Sequence, residues 1–217
     1  MQITKRKAVG AIMAAGMLTA PAAADEIFTT GTPTPGFLGF YGFDISQDQS
    51  VAIAFTADQD YALDQVGMWM MSNDFANPGA EYTVSLRADA GGGGSLTTPD
   101  SMIIETWDVA TGATGWNPVL DVLDSVLHPT LSAGTTYWIV AESDAPGGLD
   151  PVWVAASQST PVWNAIMNSA NPNPTEWYAG YGQGVPGMVI NGSPVPTPAG
   201  AAVLALGGLV GTRRRRR

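Results

Sequence analysis

Residues 81–89 read EYTVSLRAD. Tyr82, Val84, Leu86 and Ala88 fall on one side of an extended chain, and Glu81, Thr83, Ser85 and Arg87 on the other. Successive side chains of a strand point to opposite faces, so this period of two marks a strand with one face on a core and one toward water. The pattern recurs on both sides. Upstream, Val51, Ile53 and Phe55 alternate with small residues, and Val66, Met68 and Met70 alternate with Gly67, Trp69 and Met71. Downstream, 102–109, 135–143, 152–157 and 188–191 read the same way. Turn residues separate the runs at 77–79, 89–95, 132–134, 145–148 and 171–174. Many short strands, with no long helical stretch to supply crossovers, predict an all-β fold: an antiparallel β-sandwich, jelly-roll-like. Its core is expected over about 50–191, with 25–48, rich in Gly, Thr and Pro, read as a leader.

One segment carries two periods. Asn117-Pro118 precedes VLDVLDSVL, and Val119, Val122, Leu123 and Val126 share a helical face. Asn as cap and Pro at the first helical position suit a short helix that Pro129 would end by about His128. A strand over 125–131 is the competing reading, and the sequence leaves the two open.

The stretch EYTVSLRADAGGGG, followed after about forty residues by LSAGTTYWIVAES, resembles bacterial exported domains of the choice-of-anchor type. The resemblance covers roughly 50–191. It implies a β-sandwich placed ahead of a surface-anchoring tail, and it brings no enzymatic role.

The two ends read as addresses. Lys5, Arg6 and Lys7 precede an apolar run of 13 residues, 8–20, and Ala22 and Ala24 are the small residues a signal peptidase requires. Residues 1–24 are therefore expected to be a helical secretory signal peptide cut before Asp25. At the other end, 194–217 reads PVPTPAGAAVLALGGLVGTRRRRR. The apolar run 199–211 would span about 20 Å as a helix, short of the roughly 30 Å hydrocarbon core. Arg213, Arg214, Arg215, Arg216 and Arg217 would hold the C-terminus in the cytoplasm. A proline-flanked motif, an apolar helix and an arginine cluster, in that order, resemble the PEP-CTERM sorting signal. Pro196, Thr197 and Pro198 occupy the motif, with Thr197 where that family usually carries Glu. The resemblance implies an exosortase-type processing enzyme as partner, transient insertion in the inner membrane, and delivery to the cell surface or extracellular matrix.

The part between these ends, 25–193, is one domain in size. Eight of the nine cationic residues lie in the ends, so 19 carboxylates face Arg87 alone, a formal charge of −18. Such a surface repels nucleic acid, favours solubility and attracts divalent cations. With no cysteine, thiol catalysis and thiolate metal sites are excluded.

Candidate chemistry is sparse. Gly91–Gly94 lacks the Lys and following helix of a phosphate loop and reads as a hairpin loop. His128, the sole histidine, has no nucleophile motif beside it and reads as a surface or strand-end residue. Asp58, Asp60 and Asp64 begin like a calcium loop, but the EF-hand pattern fails at Ala62, Leu63 and Trp69. They remain a noncanonical calcium candidate, as do Asp144 and Asp150 around Gly147-Gly148. Glu105, Glu142 and Glu176 could be offered as hydrolytic carboxylates, yet spacing says nothing of their separation, and they read as solvated. No cofactor is required, and no enzyme is expected. Of seven tryptophans, Trp69 and Trp138 lie in strong strand patterns and read as core; Trp107, Trp116, Trp153, Trp163 and Trp177 sit nearer loops. Trp177, Tyr178 and Tyr181 form the most ligand-like aromatic group, suited to stacking on extracellular polysaccharide. The expected function is a noncatalytic structural or adhesive surface module, with a glycan-binding module, calcium-assisted or not, as the alternative.

Overall fold

The computed structural model describes residues 24–33, 35–36, 39–91, 97–156, 162–168, 176–182 and 184–196. The helices expected at the two ends lie outside these residues, as do Ala22, Thr197, Pro198 and Arg213–Arg217; Ala24 and Pro196 lie within them and are exposed.

Thirteen strands and no helix are found among the described residues: β1 (Asp25–Thr29), β2 (Gly42–Asp44), β3 (Gln49–Thr56), β4 (Tyr61–Ser72), β5 (Glu81–Asp89), β6 (Pro99–Ala110), β7 (Val119–Asp124), β8 (Thr130–Leu131), β9 (Thr136–Glu142), β10 (Pro151–Val154), β11 (Val162–Asn168), β12 (Tyr178–Gly182) and β13 (Met188–Pro194). They form two antiparallel sheets. The first runs β1-β13-β4-β10-β2, with β7 and β8 also on β4; the second runs β12-β11-β3-β9-β5-β6.

The shared core follows from the alternation. Val51, Ile53 and Phe55 of β3, Val84 and Leu86 of β5, and Ile139 of β9 meet Leu63, Val66, Met68 and Met70 of β4, Trp153 of β10 and Ile190 of β13 in one buried cluster. Each such side chain moved from water contributes roughly 2 kcal/mol. The cluster draws on both sheets, so they pack face to face. Gly42 permits the closest backbone approach: a Cβ there would stand 2.4 Å from the Trp153 carbonyl oxygen across the β2–β10 pair.

Several details depart from the sequence reading. Residues 25–48 are not strandless: β1 pairs with β13 and β2 with β10. The ambiguous segment is strand β7, laid along 65–70 of β4, and β8 follows at 130–131. Of the strand expected over 125–131 only 130–131 is extended; pairing with β4 makes 119–124 the strand, with Leu123 turned into the core beside Val66 and Leu120 and Val122 facing outward and partly exposed. β11 and β12 carry no strong strand signal, yet they extend the second sheet beyond β3.

The register also gives the fold two poles. Asp25 pairs with Gly192, Pro194 with Tyr61, and Val195 N–H donates to the Asp60 carbonyl. Both ends of the domain therefore leave at the pole holding the β3–β4 turn. β4 runs from there over about 37 Å to the opposite pole, where Ser72 pairs with Pro151.

Candidate functional site

At that opposite pole lies an open cleft of about 1110 Å³. The start of β5 contributes Glu81 and Thr83, the end of β6 Asp108, and the end of β9 Glu142. Ser143 and Asp144, in the segment after β9, and Ser46, Gln47 and Ser50, around the start of β3, add to the polar lining. These strand ends converge because β5 pairs with both β6 and β9, bringing Thr83 opposite Asp108 on one side and Glu142 on the other.

The cleft is acidic, with four carboxylates in its lining. Arg87 spends its charge on Glu142, at 2.5 Å, and is steadied by its Nε–H to the Ser85 hydroxyl. Thr83 donates its hydroxyl to Asp108 at 3.3 Å. The Ser143 hydroxyl donates to the Glu81 carbonyl at 2.7 Å rather than to a base. The arrangement offers hydrogen-bond acceptors and negative potential to hydroxyl-bearing or cationic molecules. Among the described residues its lining includes no histidine.

Beside the cleft, Asp150 is buried and fully engaged. It accepts from Gly148 N–H at 2.6 Å and from the Asn73 amide, which also reaches Asp44. Trp116 donates to the Asn73 oxygen. In the neighbouring turn, the backbone N–H groups of Asn77 and Ala76, with the Asn77 amide, hold the Asp74 carboxyl below the usual carboxylate range. This knot fixes the polar loops around the cleft.

The calcium candidates separate into different roles. Asp58 is exposed in the β3–β4 turn; Asp60 accepts from Ala133 N–H; Asp64 accepts from the Ser193 hydroxyl. Asp144 lines the cleft, whereas Asp150 sits in the knot. Among the described residues, no three His, Asp or Glu side chains converge on one point. The three glutamates also part: Glu142 pairs with Arg87, Glu176 is exposed, and Glu105 is not solvated but 4% exposed. Glu105 accepts from the Ser125 hydroxyl and from Val126 and Leu127 N–H.

No protein-family model and no curated protein matches this chain.

The aromatic residues are redistributed as well. Trp153, read as loop-proximal, is fully buried, with its indole N–H on the Gly187 carbonyl. Trp138 is buried on the outer face of the second sheet, with Ala52, Ala54, Val140 and Ala165. Its N–H donates to Asp89. Trp163 and Trp177 pack over this cluster. Tyr178 opens β12 and is 42% exposed, and the Tyr181 backbone pairs with Trp163. Trp69, read as core, is only half-buried: Met68 and Met70 take the inner face, so Trp69 takes the outer.

The sequence singled out one cleft residue as a ligand candidate, Asp144, and one as a weighed carboxylate, Glu142. Glu81 and Asp108 were legible only as the polar face of their strands. No spacing could unite them, since 27 positions separate Glu81 from Asp108.

Proposed function

We propose that this chain is an exported, C-terminally sorted bacterial surface or extracellular-matrix protein, and that its jelly-roll-like sandwich is a noncatalytic structural or adhesive module. The observation that carries the reading is the pairing of Asp25 with Gly192. It brings the signal-like and tail-like segments out at one pole and leaves the acidic cleft at the other. A domain held or released at its C-terminus would then present the cleft outward. Signal peptidase would cut after Ala24, and 199–211 would insert briefly in the inner membrane. An exosortase-type enzyme would then process the chain at Pro196-Thr197-Pro198. Thirteen weakly apolar residues hold little hydrophobic free energy for stable residence, while five arginines are costly to move across.

Mass spectrometry of the protein recovered from its native surface tests this. The expected peptides start at Asp25 and end near 196–198. Recovery of 199–211 in the mature form would make that segment a membrane anchor and overturn the processing step. A glycan-binding role is the second reading, favoured by a half-buried tryptophan in a groove away from the cleft.

A further inference from the structure

We propose that the outer face of the first sheet carries a binding site for a neutral pyranose unit of a polysaccharide, seated on Trp69. The groove measures about 330 Å³ and is lined by Thr32, Pro33, Phe40, Trp69, Asn117 and Pro118. That volume is at the small end of ligand sites, which run about 300–1,000 Å³, so it admits a short stretch of a chain. Trp69 lies mid-strand in β4, and its backbone N–H donates to the Gly187 carbonyl. Gly187 itself packs against the indole: a Cβ there would meet Trp69 Cδ1 at 3.2 Å. Beneath, Met71, Ala113, Val152 and Val154 form a buried cluster on which Trp69 and Phe40 rest.

The chemistry selects the ligand. Among the described residues no charged side chain lines this groove, although the domain carries 19 carboxylates. A cation finds no carboxylate among the described lining residues and is drawn more strongly to the acidic cleft; an anion is repelled by the whole domain. The ligand is therefore neutral. Trp107, Trp116, Trp138 and Trp153 each donate the indole N–H to a named acceptor, whereas that of Trp69 has no partner among the described residues. Asn117 spends Nδ2 on the Thr114 carbonyl, which fixes the amide and leaves Oδ1 accepting nothing among the described residues. The groove is thus lined by an aromatic ring and by residues that carry an open donor and an open acceptor. A sugar ring matches all three, with a C–H face for the indole and hydroxyls that both accept and donate. A polyproline segment, the other occupant that aromatic grooves favour, accepts from Trp69 but, having no backbone N–H, has no donor for Asn117. The site is distinct from the Trp177 group and does not depend on how the tail is processed.

Titration of the full chain with cellohexaose, mannohexaose and chitohexaose, followed by calorimetry and by the Trp69 indole N–H resonance, tests the proposal. At least one oligosaccharide should bind in the millimolar range or tighter and shift that resonance. Trp69→Ala should weaken binding by about tenfold or more, Asn117→Ala by less, and Trp177→Ala not at all. Asn117→Ala removes no core side chain, so it serves even if Trp69→Ala fails to fold. The proposal is overturned if none of the three sugars binds. It is equally overturned if binding survives in both groove variants, or if a polyproline peptide binds the groove in their place.

Discussion

Tyr82 shows how one residue couples the two sheets. Its ring lies in the shared core, and its hydroxyl donates to Asp121 Oδ2 at 2.9 Å, from β5 of one sheet to β7 of the other. Burial first, and then the Asp121 charge, push the phenol far above its ordinary value, which is near 10. A raised folded-state pKa contributes stability that is fully present below the unfolded value and is lost as pH rises past it. Above about pH 10 the unfolded chain releases this proton and the folded chain keeps it, so stability falls by up to about 1.4 kcal/mol per pH unit from this group. Tyr82→Phe should cost about 2 kcal/mol at neutral pH and make the alkaline fall shallower. Urea unfolding from neutral to strongly alkaline pH measures both; parallel curves for variant and parent would remove Tyr82 from the account.

The loop between β7 and β8 is the clearest case at the scale of an element. It would be an awkward surface feature alone: Val126 is 80% exposed, Leu127 is 65% exposed, and His128 adopts φ +45° without being glycine. It is held from both sheets. Glu105 of β6 takes two of its backbone N–H groups and the Ser125 hydroxyl. From β4, the Asp64 carbonyl accepts from Ser125 N–H, and the Leu63 carbonyl stands 2.9 Å from His128 Nδ1. A carbonyl only accepts, so that nitrogen carries the proton. Trp107 adds its indole N–H to the Asp124 carbonyl. Glu105→Ala leaves two N–H groups and a hydroxyl without their acceptor and should cost about 3 kcal/mol. Hydrogen exchange at Val126 and Leu127 should accelerate with it, while Glu105→Gln keeps one acceptor oxygen and loses less. A change within about 0.5 kcal/mol, the range of an ordinary surface substitution, would mean the loop is held by other contacts.

For the whole molecule, charge is the dominant feature. The folded domain confines 18 net negative charges to one compact surface, with Arg87 already committed to Glu142. Self-repulsion on that scale opposes compaction and is relieved by screening, whose range falls from about 10 Å at 0.1 M salt to about 3 Å at 1 M. The melting temperature should therefore rise steadily with sodium chloride across that interval. A flat or falling trend in a scanning calorimeter would show that paired acids such as Asp150 and Glu105, rather than the net field, set the balance. Under the proposed groove assignment, the same charge would sort ligands by location: cations toward the polar cleft, neutral rings toward Trp69.

The all-β character was legible because it is local. Tyr82, Val84 and Leu86 declare the inner face of 81–89 by their own polarity, and the register of β5 with β6 and β9 keeps that assignment, although Ser85 on the other face is buried as well. Wherever polarity did not distinguish the faces, the chain alone was silent. In 119–124 the apolar residues follow a helical period and do not alternate, and it is pairing with β4 that makes them a strand. β1, β2 and β12 are short, and β12 reads YAGYG; they are strands because a partner's backbone needs their hydrogen bonds. Trp69 and Trp153 exchanged their expected places because burial depends on which face of a pleat meets the opposite sheet. The cleft and the groove join residues that only the crossing of distant strands makes neighbours. Composition and alternation, being properties of single residues and their nearest neighbours, determined the fold class and the charge; the sites, being properties of register between strands far apart in the chain, were decided by the tertiary structure.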